Sequence, residues 1–132
     1  MKNSKVLKVI LFISGLIAIG VGATILLMPV GFYAVSGINL NGDVNLLNEV
    51  RASGGALLAC GILITSGAFV VKLTFTATVI STLLYLSYGL SRLLSMVVDG
   101  MPADSLIQAV ILELVLGLIC VVSFMKFRQQ EM

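Results

Sequence analysis

Apolar residues in this chain run on without alternating. Four long stretches, about 6–28, 46–71, 73–98 and 106–125, carry almost no charge. About 20 apolar residues are needed to cross a bilayer as a helix, so each stretch predicts a membrane span. The breaks between them are short and chemically distinct. Pro29 ends the first span, because proline cannot continue a helix interior cheaply. A connector follows, with Phe32 and Tyr33 and then Gly37, Asn39, Asn41, Gly42 and Asp43. The aromatic pair suits a headgroup interface, and the Asn-Gly-Asp run is turn chemistry. Residues 29–36 are too few to span and predict a short interfacial helix. Lys72 separates the second and third spans by a turn so tight that the two must be antiparallel neighbours. Asp99 to Ser105 is a turn followed by a helix start, with Asp104 or Ser105 as the expected N-cap.

Composition turns this pattern into a class. The chain has 132 residues, 59% hydrophobic and 11% charged, against about 25% charged for a soluble domain. Lipid is therefore its solvent, and in lipid every backbone polar group needs an internal partner. Continuous rather than alternating apolar runs favour helices over barrel strands. The expectation is an all-α, antiparallel four-helix bundle, one membrane domain over residues 1–132. A net charge of +2 is too small to argue for nucleic acid. Cys60 and Cys120 fall in mid-span and read as small packing residues. Histidine is absent, which weighs against haem, zinc and copper sites, and no cofactor or metal is expected. The N-terminal apolar run exceeds the roughly 7–15 residues of a signal-peptide core, so it reads as a retained span.

Basic residues set a direction. Lys2, Lys5, Lys8, Lys72, Lys126 and Arg128, six of the eight, fall on one side of a four-span layout. The opposite loops hold Asp43, Asp99 and Asp104 and no basic residue. The positive-inside rule then places both termini in the cytoplasm.

With that orientation, four charges share one depth. At about 1.5 Å of rise per residue, Glu49 and Arg51 lie about 5–8 Å inside the outer end of the second span, Arg92 about 9 Å and Glu113 about 12 Å inside theirs. An unpaired charge at the bilayer centre costs about 2.5–3.5 kcal/mol on insertion scales, so such residues pair, face the interior or line a wet cavity. The expected pairs are Glu113 with Arg92, and Glu49 with Arg51 or Arg92. Ser81, Tyr85, Tyr88, Arg92 and Asp99 form one polar helical stripe, with Thr74, Thr78 and Thr82 as a second row. Ala109, Glu113 and Gly117 share a face, as do Ala52, Ala56 and Cys60 beside Gly54, Gly55 and Gly61, and Ser14, Ala18 and Gly22. Small residues on one face let membrane helices pack closely. Plainer readings stand beside the functional one. A buried ion pair can simply fix helix register. Glu49 and Arg51 can snorkel to the interface. The tyrosines can pack and hydrogen-bond without further duty. Asp99 with Gly100 makes a turn, although its acid can join the site from above.

The motifs Asn48-Glu49-x-Arg51-x-x-Gly54-Gly55 with Gly61, Gly89-x-x-Arg92-x-x-Ser95 with Asp99-Gly100-x-Pro102, and Glu113-x-x-x-Gly117 resemble a family of small four-span bacterial membrane proteins, domain of unknown function 4345. The resemblance covers about 14–121. It implies a multi-pass protein of the bacterial inner membrane and supplies no activity, substrate or cofactor. More loosely, the layout resembles the DoxX-like four-span proteins, a group linked to quinone and redox partners. Fold-level analogy of that kind does not give function.

Three functions fit the residues. The first is a binding module whose polar pocket, built from Glu113, Arg92, Glu49, Arg51, Tyr85, Tyr88 and Asp99, holds a small amphipathic ligand such as a lipid or quinone. The second is a structural or accessory subunit whose ion pairs only fix packing. The third is an intramembrane acid/base enzyme using Glu113, for which no nucleophile or metal set is visible. Membrane lipid is the expected surrounding, and the small-residue faces suit a homo-oligomer or a partner membrane protein as well as the bundle itself.

Overall fold

The computed structural model describes residues 5–129, and among them all regular structure is helical. Five α-helices follow in order: α1 Lys5–Leu27, α2 Pro29–Ala34, α3 Val44–Phe69, α4 Thr74–Asp99 and α5 Asp104–Gln129. The four long ones are each long and apolar enough to cross a membrane. They form the expected antiparallel bundle.

The helix ends show how local chemistry sets these bounds. Pro29 does more than stop α1: it sits in the first turn of α2, where its missing N–H is no loss. Helix α2 is shorter than the expected segment because Gly37, at φ 77°, turns the chain away. Helix α3 starts earlier than the apolar pattern suggests, since the Asp43 carboxylate accepts from the Leu46 amide at 3.0 Å. Its far end unwinds at Val70, and a single 3-10 turn over Val71–Leu73 carries Lys72 across to α4. Gly100, at φ 103°, ends α4. The start of α5 departs from expectation. The Ala103 carbonyl accepts the Leu106 and Ile107 amides, so Asp104 lies inside the first turn, where its charge favours the helix dipole.

Packing is uneven. Helix α1 lies along α3 for most of its length, α4 lies along α5, and α1 touches α4 and α5 only sparingly. Glycines on both helices make the α1–α3 seam. A Cβ on Gly22 would stand 2.5 Å from the Leu58 nitrogen, and one on Gly61 2.6 Å from the Ile19 nitrogen. The face of α3 used here is Gly54, Leu57, Gly61, Ile64 and Ala68. Ala52 and Ala56, expected on a packing face, are exposed, and Cys60 is half-buried. An alanine methyl is enough to prevent backbone-to-backbone approach, so glycine selects the seam. Leucines fill the equivalent gaps between α4 and α5, Leu114 over Gly89 and Leu86 over Gly117.

The end of the bundle near the chain termini is closed by Leu7, Leu11, Ile64, Ala68, Ala77 and Phe127. Above it, the hydroxyls of Thr74, Thr78 and Thr82 on α4 are satisfied internally, while the buried Thr65 hydroxyl of α3 has no partner among the described residues. Thr74 donates to the Gly67 carbonyl at 2.8 Å, Thr78 to Thr74 at 2.7 Å and Thr82 to Thr78 at 2.8 Å. At mid-bundle Ser81 contacts the Ser14 hydroxyl and the Cys120 thiol, both at 3.2 Å. Leu83, Leu90, Val97, Ile111 and Val122 point outward and exposed, an apolar belt that needs lipid to cover it. Lys5, Lys8, Lys72 and Lys126 all belong to the termini end. Lys2 lies outside the described residues.

Candidate functional site

At the opposite end the helices part. Between α1, α2, α4 and α5, with a small contribution from α3, lies a cavity of about 580 Å³. That is within the range of about 300–1,000 Å³ usual for small-molecule sites. Its wall is mostly apolar, and Thr24, Ser36, Ser53 and Ser105 join the tyrosines and a charged pair as its polar members.

Arg92 on α4 and Glu113 on α5 form the charged part. The Arg92 Nε donates to both carboxylate oxygens of Glu113, at 3.1 and 2.9 Å. The two meet because α4 and α5 run antiparallel from the turn at Gly100, and because the Gly89 and Gly117 contacts hold the helices close. The Glu113 side chain is 14% exposed and that of Arg92 34%. The guanidinium lies 5.9 Å from the centre of the Tyr88 ring, a cation–π distance. The Tyr88 hydroxyl stands 3.4 Å from the Ser53 hydroxyl on α3, a long and weak contact. Tyr85, also on the wall, donates its hydroxyl to the Ser14 carbonyl of α1 and so ties the cavity floor to the mid-bundle cluster.

Helix α2 folds over this end. Ser36 and Ser105 share a hydrogen bond of 2.7 Å that ties the chain just past α2 to the start of α5. Tyr33 and Phe32 both line the cavity and pack edge to face, centroids 5.2 Å apart. Burial pushes the Tyr33 phenol above its ordinary 10.0, the neighbouring Tyr88 pushes it the same way, and Arg92 partly opposes them.

Of the residues expected at a polar site, Tyr85, Tyr88, Arg92 and Glu113 line this one cavity. Glu49, Arg51 and Asp99 stand elsewhere. The Arg51 Nη1 donates to the Leu26 carbonyl at 2.5 Å. It thus satisfies one of the carbonyls left over at the C-terminus of α1, where a cation is favoured. Glu49 is exposed near the start of α3, and it makes no ion pair with Arg51 or Arg92 among the described residues. Two positions apart on one helix, Glu49 and Arg51 face away from each other. Asp99, exposed at the end of α4, accepts from the Ser95 hydroxyl at 3.0 Å. Tyr33, Ser36 and Ser105 were not expected at the site. The aromatic pair at 32–33 suits a headgroup anchor by sequence, and no local pattern says that α2 doubles back over the bundle.

The layout leaves a neutral ion pair and three phenols against a greasy wall. It can orient a molecule with one polar and one apolar end. No curated protein and no solved structure matches the chain. The family model of a domain of unknown function, DUF4345, matches residues 6–124, nearly all of the chain, and the chain therefore belongs to that family.

Proposed function

We propose that this protein sits in the bacterial inner membrane with both termini in the cytoplasm, and that its cavity binds a small amphipathic ligand such as a lipid or a quinone. The observation that carries this reading is the cavity itself. It is large enough for a ligand, apolar over most of its wall, and polar where Arg92, Glu113, Tyr88 and Tyr33 converge. The orientation is supported by the lysines of the termini end and by Asp43, Asp99 and Asp104 at the other. It puts the cavity in the outer half of the bilayer.

Native mass spectrometry of the detergent-purified protein tests the reading. A retained lipid or quinone is expected, and a clean apo protein overturns it. Arg92→Leu should express yet lose the retained molecule, whereas Glu113→Gln should express and change which molecule is retained. A reporter fused after Met132 should be cytoplasmic; a periplasmic signal sinks the orientation.

A second reading has its own support. The Arg92–Glu113 pair bridges α4 and α5 beside the glycine contacts at Gly89 and Gly117, where an ion pair also fixes packing. On that reading both single variants lose folded protein equally, and the swapped pair Arg92→Glu with Glu113→Arg restores it.

A further inference from the structure

We propose that the cavity selects an amphiphile whose head is uncharged and accepts hydrogen bonds, and that Glu113 is the residue that sets this preference. The inference rests on the ligand-binding reading above and narrows it to a class.

The geometry of the ion pair is the starting point. Arg92 meets Glu113 through Nε alone, side on. A guanidinium has five N–H donors. Among the described residues the two Nη groups make no hydrogen bond to protein, although Arg92 lines the cavity. Four donors are therefore left for something else. The Tyr88 hydroxyl, held only by a 3.4 Å contact with Ser53, is nearly free to donate as well. The Tyr33 phenol closes the same corner from α2. The corner is rich in donors and asks for acceptors.

Charge decides which acceptors. Arg92 and Glu113 cancel, so the corner has no net charge to offer. A phosphate or carboxylate head would compete with Glu113 for the guanidinium. Two anions would then share one cation, leaving an uncompensated negative charge beside the Glu113 carboxylate, 14% exposed, in a mostly apolar site. A carbonyl, ester or hydroxyl head takes the Nη donors and leaves the ion pair whole. Donors with a built-in counter-charge discriminate by penalising the charged competitor. The apolar part of such a molecule fits along Ile17 and Val21 of α1 and Ala109 and Leu112 of α5, which face each other where those two helices barely touch.

A matched pair of probes tests this: 1-oleoylglycerol and 1-oleoyl lysophosphatidate, which share a chain and a glycerol and differ in one phosphate. Occupancy is read by native mass spectrometry and by the shift in melting temperature of the full chain in neutral detergent. The neutral probe should bind, and the phosphate probe should bind at least about ten-fold more weakly, the least that an uncompensated charge in an apolar site implies. In Glu113→Gln the gap should shrink or reverse, since no carboxylate remains to protect. Ala109→Phe fills the apolar strip while keeping both charged residues and should abolish occupancy of the neutral probe. Val21→Phe fills it from α1 and serves if Ala109→Phe does not fold. Equal or tighter phosphate binding that the filling variants block overturns the preference but leaves the ligand reading standing. Binding of neither probe, or binding that both filling variants leave untouched, overturns the two together.

Discussion

Helix α1 has two flanks, and they are built by opposite rules. Toward α3, glycines at 15, 22, 54 and 61 let the two backbones approach closely. Toward α5, the same helix presents Ile17 and Val21 to a cavity. The seam gains its stability from dispersion over many close contacts, the usual driving force where lipid tails are as apolar as the side chains. The gap forgoes those contacts. It is held at its margins by polar links instead: Tyr85 to Ser14 at the floor, Arg92 to Glu113 at the side, Ser36 to Ser105 above. A small bundle can thus be rigid along one line and open along another, with the rigid line bearing the fold.

That contrast can be broken from either flank. The largest effect is expected in the seam. Gly22→Leu forces a side chain into the Leu58 backbone, and the cost should be about 3 kcal/mol or more. The folded fraction on size-exclusion chromatography should collapse. A variant that melts like the wild type would show that the seam is looser than its glycine contacts imply. On the open flank, Glu113→Gln leaves Arg92 without its carboxylate partner, and a loss of about 2 kcal/mol is expected for a charge-assisted contact. Chemical denaturation in detergent measures it, and the fold should survive. Smaller again is Arg51→Met at the top of the seam. It removes the cation from the Leu26 carbonyl and should cost about 1 kcal/mol, with hydrogen exchange quickening in the last turn of α1 only. Exchange that rises evenly along α1 would contradict a local capping role.

The smallest effect concerns α2 and depends on pH. The Tyr33 phenol ionises at a higher pH in the folded protein than its ordinary 10.0. Above pH 10.0 the unfolded chain gives up that proton first, so stability falls with rising pH until the folded group ionises too. Below that window the group does not alter the pH dependence. Tyr33→Phe should remove this part of the alkaline decline and change little at neutral pH. Identical alkaline melting curves for the two proteins would place Tyr33 outside the buried corner.

Parts of this site were legible residue by residue. Counting back from Asp99 and forward from Asp104 puts Arg92 and Glu113 at similar depth on two antiparallel helices, so their meeting follows from the turn. The stripe from Ser81 through Tyr85 and Tyr88 to Arg92 follows from helical periodicity. Arg51 was not legible, because its partner is a backbone carbonyl, a group that every residue carries. Nor was Tyr33, since six residues of α2 can lie flat in the headgroups or fold inward with the same local pattern. The preference for Gly54 and Gly61 over Ala52 and Ala56 was also hidden. Both kinds of residue are small, and only the approach distance of α1 separates them.

The sequence by itself determined the solvent, the number of long helices and their antiparallel order, because hydropathy and turn chemistry act locally and cannot be satisfied any other way in lipid. The family motif lies in the same residues. Only the tertiary structure decided which charges share a site, which glycines touch a neighbour, and that a cavity exists at all. A cavity is an absence shared by several helices. It arises where α1 leans on α3 and leaves α5, and no single stretch of chain records that balance of contacts.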